Sequence, residues 1–230
     1  MRGIAFALVV AAGWLAAADT RSPMQRALDE QDRGALEKII ARLNAAAEKN
    51  AQDARAHYRV AKANSLLAQL AIELGDKALG RTAAEAGIGA ARQAVALSPD
   101  IAEYHRVLGM LCGQVIPANV MSGLKYGKCA LEEVNKAMEL DSGSWEIWLS
   151  RGVGNYYLPP MFGGGAEKAI EDLQKAVQLN PGAAESHLWL GIALRKAGRN
   201  GEARQALGKA IELNPERKWA RQQLEKTPAK

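Results

Sequence analysis

The segment 184–215 constrains the fold most, because its spacing of small and large apolar residues is typical of two packed helices joined by a short turn. Gly191 stands in the first helical stretch, and Ala203, Leu207 and Ala210 follow at helical intervals in the second, before a closing proline. Small residues are required where two helices cross closely. This segment is therefore predicted to form one helical hairpin.

The same spacing recurs upstream, with Ala61, Gly109 and Gly152 at positions equivalent to Gly191. The second-helix residues that follow these three are, in the same order, Gly87, Ala91, Ala94 and Pro99; Ala130, Val134, Ala137 and Ser142; and Ala169, Leu173, Ala176 and Pro181. Half a repeat precedes them, with Ile39, Leu43, Ala46 and Ala51 at the second-helix positions. Such recurrence predicts an all-α fold, an α-solenoid of stacked helix-turn-helix units. The predicted units cover residues 20–52, 53–100, 101–143, 144–182 and 183–216, and a capping helix covers 216–226.

The insertions in this frame all fall inside the hairpins. Ten residues always separate the closing residue of one unit from the small residue of the next, as from Pro181 to Gly191. Within a unit, the distance from the small residue to the closing residue shortens along the chain. It is 38 residues after Ala61, 33 after Gly109, 29 after Gly152 and 24 after Gly191. We therefore expect identical stacking throughout and elongated N-terminal hairpins, with about seven extra residues, or roughly 10 Å, in each helix of the longest hairpin.

The first 18 residues have the features of a secretory signal peptide. Arg2 is followed by an apolar run over residues 4–15 and then by Ala16, Ala17 and Ala18. A membrane anchor is the alternative, although the run is shorter than the roughly 20 residues that span a bilayer. We predict a mature region of residues 19–230 in the periplasm or outside the cell.

Charge and motif content disfavour several functional classes. The formal net charge is +5 without a dense basic block, so nucleic-acid binding is not indicated. No nucleophile, base and orienting group converge at any motif, so the chain is not expected to be an enzyme or to need a cofactor. The glycine-rich segment 158–168 precedes a predicted helix and could bind an anion, but it lacks a P-loop ending and more simply forms a turn. Its Met161 and Phe162 are either an exposed apolar contact or tucked into the hairpin.

The histidines and cysteines each allow two interpretations. His57, His105 and His187 could bind a metal, but each lies four residues before its unit's small residue, where Trp148 stands in another unit. That register favours aromatic packing, so no metal site is predicted. The only cysteines, Cys112 and Cys129, flank one hairpin turn and form either a disulfide, as an exported protein permits, or a pair of buried thiols.

The exposed side of the first helices is the predicted binding surface, because stacked units bring these helices together along a concave groove. Helical spacing selects residues that are basic and polar at the N-terminal end and mainly aliphatic or aromatic further on. Such a surface suits an extended peptide or a partner helix. The predicted lining residues are Arg55, Tyr58, Lys62, Arg106, Met110, Leu149, Val153, Tyr156, Leu188, Ile192 and Arg195.

The frame of Gly191, Ala203, Leu207, Ala210 and Pro215 resembles the tetratricopeptide family, and the resemblance covers about residues 24–226. It implies a binding scaffold without catalysis. The long hairpins and the P-P-M-F-G-G-G segment are also similar, in part, to TRAP-transporter T-component proteins. That likeness implies association with a solute-binding protein, and in that group also a lipid anchor, for which no cysteine stands near Ala18.

Two functional hypotheses follow from these observations. The first is an exported scaffold that binds another protein or peptide, of unknown identity, in its concave groove. The alternative is an accessory component of periplasmic solute uptake that binds a small apolar ligand or a solute-binding protein. The sequence predicts no nucleic-acid partner and no membrane span after signal cleavage, and it leaves the oligomeric state open.

Overall fold

A computed structural model describes residues 21–116 and 120–229 of the chain. The predicted signal peptide lies outside the described residues. The described part contains eleven α-helices, one 3-10 turn and no strand, which confirms the predicted all-α class. The helices are α1 (Pro23–Asp29), α2 (Arg33–Lys49), α3 (Ala54–Leu74), α4 (Lys77–Leu97), α5 (Ala102–Val115), α6 (Val120–Leu140), α7 (Trp145–Tyr157), α8 (Ala166–Leu179), α9 (Ala184–Lys196), α10 (Asn200–Leu213) and α11 (Lys218–Glu225).

Helix lengths follow the insertions that the sequence frame located. Helices α3 and α4 have 21 residues each, whereas α9 and α10 have 13 and 14. The predicted gain of about seven residues per helix in this hairpin is thus confirmed. In the next hairpin α5 has 14 residues and α6 has 21, so the second helix takes most of that insertion. The insertion between α7 and α8 forms the 3-10 turn Pro160–Phe162 and its glycines.

Helix crossings depend on the small residues of the frame. A Cβ added at Gly109 would lie 2.8 Å from Val134, one at Gly152 would lie 2.7 Å from Leu173, and one at Gly191 would lie 2.5 Å from Leu207. These distances are too short for non-bonded carbon atoms. The same two frame positions therefore touch in three consecutive hairpins, and glycine is what permits the approach.

The junctions between units share a hydrogen bond from the aromatic position four residues before the small residue. A ring N–H there donates to the carbonyl of the closing residue, six positions earlier. The pairs are His57 with Ala51 at 2.9 Å, His105 with Pro99 at 2.7 Å, Trp148 with Ser142 at 2.8 Å, and His187 with Pro181 at 2.9 Å. Arg221 makes the equivalent bond to Pro215 at the start of the capping helix. This bond offers a physical reason for the constant ten-residue junction.

The first helices of the hairpins form an inner layer. Helix α3 packs against α5, α5 against α7, and α7 against α9, while each second helix packs mainly on its own hairpin and the next first helix. Two main apolar clusters hold the described residues together. One lies within α1–α6 and the other within α7–α11.

Candidate functional site

The inner surface of α3, α5, α7 and α9, here the concave face, carries the predicted lining residues. Arg55 is exposed, and Lys62 keeps 42% of its side chain in solvent. Tyr58 is half-buried beside them. Also partly buried are Met110, Leu149, Val153, Tyr156 and Arg195. These residues form the part of the predicted surface that keeps contact with solvent.

Three predicted lining residues are instead buried in the structure and do not belong to its exposed surface, so a part for them in binding stays a prediction. Leu188 is 0% exposed and Ile192 is 3% exposed, because both belong to the apolar cluster of α7–α11. Arg106 is 9% exposed, and its guanidinium is committed to other side chains of the chain. A rigid partner could not reach these residues.

The guanidinium of Arg106 organises the polar end of the concave face. It donates to the Glu103 carboxylate at 2.7 Å and to the Ser150 hydroxyl at 3.0 Å, and so links α5 to α7. Glu103 also accepts from the Tyr58 hydroxyl at 2.8 Å, which links α3 to α5. Lys62 donates to the same hydroxyl at 3.0 Å. The result is a fixed polar network with one partly exposed ammonium group.

Burial and hydrogen bonding shift the pKa values in this network in opposite directions. Burial alone raises the pKa of Glu103, but the bonds from Arg106 and Tyr58 outweigh it and hold that pKa below its ordinary value. Burial and the nearby Glu103 charge raise the pKa of Tyr58. Tyr58 therefore stays a neutral donor, and Glu103 stays a charged acceptor, at neutral pH.

Aromatic side chains fill the other end of the concave face. Trp189 of α9 packs edge-to-face against Tyr156 at 5.8 Å and against Trp219 of α11 at 5.2 Å between ring centroids. The Lys196 ammonium lies 4.2 Å from the centre of the Tyr156 ring. Tyr157 lies against the same cluster, and burial raises its pKa to about 12. Helix α11 therefore covers the last apolar surface, as a capping helix is expected to do.

Hydrogen bonds between the inner helices cross the concave face, and the sequence did not predict them. Ser65 of α3 exchanges hydrogen bonds with Gln114 of α5, at 3.1 and 3.0 Å. Gln69 of α3 donates to Glu185 of α9 at 2.7 Å, although 116 residues separate them. Helix α3 thus reaches across to the C-terminal units and closes part of the predicted groove. No local pattern signals a contact over this sequence distance.

The cysteines and the glycine-rich loop lie beside the concave face rather than on it. Cys112 in α5 and Cys129 in α6 are joined, with sulfur atoms 2.03 Å apart and Cα atoms 6.0 Å apart. In the loop, Gly163 and Gly165 adopt positive φ angles, which glycine permits at little cost. Met161 and Phe162 are 82% and 66% exposed, so the loop turns the chain and presents two apolar side chains to solvent.

The histidines have partners that account for their positions. Each Nε2 bonds a junction carbonyl, and the Nδ1 atom of His105 also lies 2.6 Å from a Glu133 carboxylate oxygen. Over the part of the chain that the structure describes, no group of three or more His, Cys, Asp or Glu side chains is placed to hold a metal ion. No helix there is both long enough and apolar enough to cross a bilayer.

Comparison with known proteins agrees with this geometry. A tetratricopeptide-repeat family profile matches residues 164–224. The solved structure of TTC0263, a thermophilic TPR protein of Thermus thermophilus, is similar over 89% of this chain and 96% of its own, with a TM-score of 0.63 and 20% identity. The fold is a tetratricopeptide-repeat solenoid. The repeats assigned by residue spacing thus include the region that the profile matches.

A second solved structure, the HusA haemophore of Porphyromonas gingivalis, is similar over 84% of this chain and 94% of its own. Its TM-score is 0.51 and its identity is 19%, so the likeness concerns the fold alone. No curated protein has a sequence that matches this chain. The partial resemblance to transporter T-components stays a prediction.

Proposed function

We propose that this protein is an exported, non-catalytic scaffold that binds a segment of another protein on its concave face. Tetratricopeptide repeats generally act as binding scaffolds, which favours this class of function. The observation that carries the proposal is a partly exposed strip on the inner helix layer, from Lys62 on α3 to Tyr156 on α7. Repeat proteins use such extended inner surfaces for recognition.

The strip suits a segment of mixed character. Arg55 and Lys62 offer positive charge at one end, where a carboxylate or a backbone carbonyl of the partner could bind. Met110 and Val153 offer apolar contact further along, and methionine adapts to partners of different shape. We expect an extended or helical segment with an acidic end followed by apolar residues.

The test begins with a photo-crosslinking amino acid placed at Met110, followed by mass spectrometry of what is captured from the cell envelope. The same amino acid at Gln93, on the exposed side of α4, is the matched control. Because Met110 lies on the concave face and Gln93 on the outer layer, a segment captured only through Met110 is the candidate partner. Equal capture from both positions would contradict the proposed surface.

Binding of the captured segment to purified protein then tests the chemistry. Reversing both charges in Arg55→Glu/Lys62→Glu should weaken binding by about tenfold or more, since interface charge pairs of this kind contribute on the order of 1–2 kcal/mol. Lys77→Glu/Arg92→Glu makes the same change in net charge on exposed positions of α4. If both double variants weaken binding equally, the effect is one of net charge and the surface is misplaced.

Export requires its own measurement. Intact-mass analysis of the protein purified from its host should show loss of residues 1–18 and the mass of an intact Cys112–Cys129 disulfide. A disulfide of this kind persists in an oxidising compartment and is rare in the cytosol. A full-length chain with two free thiols, recovered in the cytosolic fraction, would contradict the proposed export.

A further inference from the structure

The two ends of the repeat stack meet through one buried guanidinium. Arg217, just before α11, has 2% of its side chain exposed. It donates to Glu73 at the end of α3 at 2.9 Å and to Glu185 at the start of α9 at 3.2 Å. The Asp29 carboxylate of α1 lies 3.7 Å from the same guanidinium. We call these four side chains the end latch.

Other contacts between the ends are also polar. The side-chain amides of Gln31 and Gln222 bond each other at 3.2 and 3.1 Å. Gln69 reaches Glu185, as described above, and Lys218 donates to the backbone carbonyl of residue 30 at 2.8 Å. Polar contacts exchange for contacts with water at little net free energy, whereas apolar packing does not. Contacts of this kind therefore cost less free energy to open than apolar packing of the same extent.

The apolar core is divided in a way that permits such opening. Helices α1–α6 contain one main buried cluster and α7–α11 the other, and the two clusters share no residue. Trp219 and Ala220 anchor α11 within the second cluster, so α11 belongs with α9 and α10. Separation of the latch would thus part α1 and α3 from α9 and α11 and leave both clusters intact, with the connection between α6 and α7 as the hinge.

Charge in the latch makes closure costly. One guanidinium faces three carboxylates, and a second cation, Arg21, pairs with Asp29 at 2.7 Å. Burial raises the pKa of Glu73, although its bonds with Arg217 act in the opposite direction. In buried ion pairs of this kind, the attraction between the charges only slightly exceeds the free-energy cost of removing them from water. The charges of the latch therefore contribute little net free energy to its closed state.

We propose that the end latch gates the concave face, and that it must open before a partner segment can reach the surface between α3 and α9. The closed arrangement places Gln69 directly against Glu185, so this surface is occupied by the chain itself. The part played by a partner rests on the function proposed above. Opening of the latch does not, and it can be measured on the protein alone.

The first experiment measures opening as the rate at which N-ethylmaleimide alkylates a cysteine placed at Gln69, in the oxidised protein. Glu73→Lys should accelerate this rate by about tenfold, because it sets a second cation against Arg217. Glu171→Lys makes the same charge change at an exposed ion pair on α8 and should leave the rate unchanged. A cysteine at Gln93, already exposed, should react equally in every background.

Two results would contradict the proposal that the end latch opens in the folded protein. One is an unchanged rate at position 69 in the Glu73→Lys protein. The other is loss of helical circular dichroism in that protein, which would make the end contact part of the folding core. The milder Glu73→Gln protein covers this second case, because it keeps the side-chain shape and one oxygen that can accept from Arg217, while it removes the charge and the second acceptor. It should remain folded and react several-fold faster than the wild type.

The second experiment joins cysteines placed at Gln31 and Gln222 with a short bismaleimide, which ties the ends together. Binding of the segment captured through Met110 should fall at least about tenfold after crosslinking, if opening limits access. Equal binding before and after would show that the latch does not gate the surface. Binding in neither form would refute the proposed function, while the alkylation rates would still decide whether the latch opens.

Discussion

Replacing Leu188 with alanine should cost much more stability than the same change at Leu149. The two leucines occupy the same position in successive repeats, three residues before Gly191 and Gly152. The structure nevertheless buries Leu188 completely and leaves Leu149 partly exposed at the edge of the same apolar cluster. The pair therefore isolates the effect of burial from that of residue type and helix position.

The magnitude follows from the atoms removed. Leu188→Ala deletes three buried carbons, worth about 2.4 kcal/mol at roughly 0.8 kcal/mol each. The cavity left behind raises the loss in the free energy of unfolding to about 3–4 kcal/mol. Leu149→Ala removes atoms that already contact water, so we expect a loss of about 1 kcal/mol. For a chain of this size the first change should lower Tm by about 10 °C and the second by about 3 °C.

Urea unfolding gives the required comparison. Far-UV circular dichroism reports on all repeats, while fluorescence reports on tryptophans that include Trp189 and Trp219 in the affected cluster. Agreement of the two probes is needed for each variant, because repeat proteins can unfold in parts. If Leu188→Ala costs no more than Leu149→Ala, the burial of Leu188 described here is wrong, and the residue returns to the open binding surface.

Three further changes probe the repeat frame and the polar network. Gly191→Ala should cost about 1–3 kcal/mol by overpacking the α9–α10 crossing, whereas Gly201→Ala, with open space around it, should be neutral or slightly stabilising in the same thermal melts. His187→Phe keeps the ring and loses the bond to the junction carbonyl, so about 1 kcal/mol should be lost in urea titrations; no loss would show that the bond is dispensable. Glu103→Gln should cost about 1 kcal/mol at pH 7. Because the folded-state pKa of Glu103 is lowered, its contribution is present above the unfolded pKa and is lost as pH falls through the folded one. The difference from wild type should therefore persist at pH 7 and shrink as the pH falls through the lowered folded-state pKa of Glu103, and a difference that does not change with pH would contradict the assignment.

Features that depend on residues close in sequence could be predicted, because a repeat frame encodes them locally. The crossing of Gly191 with Leu207 and the long helices α3 and α4 follow from spacing alone. The concave face could be predicted only in part. Leu149 and Leu188 have the same local pattern, and their burial differs because the packing around each unit differs, above all where α11 covers the last one. Arg217 likewise lies in an ordinary polar segment whose acidic partners are distant in sequence.

The insertion in the first long hairpin has a structural role that its sequence did not suggest. Helix α3 has 21 residues and α9 has 13. A first helix as short as α9, started at Ala54, would end near Leu66 and would not contain Gln69 or Glu73. Those two residues make the contacts of α3 with Glu185 and Arg217. The extra two turns of α3 therefore add these contacts to the ones that Asp29 and Gln31 already make with the C-terminal end. The length of one hairpin thus decides how much of the solenoid's two ends is joined.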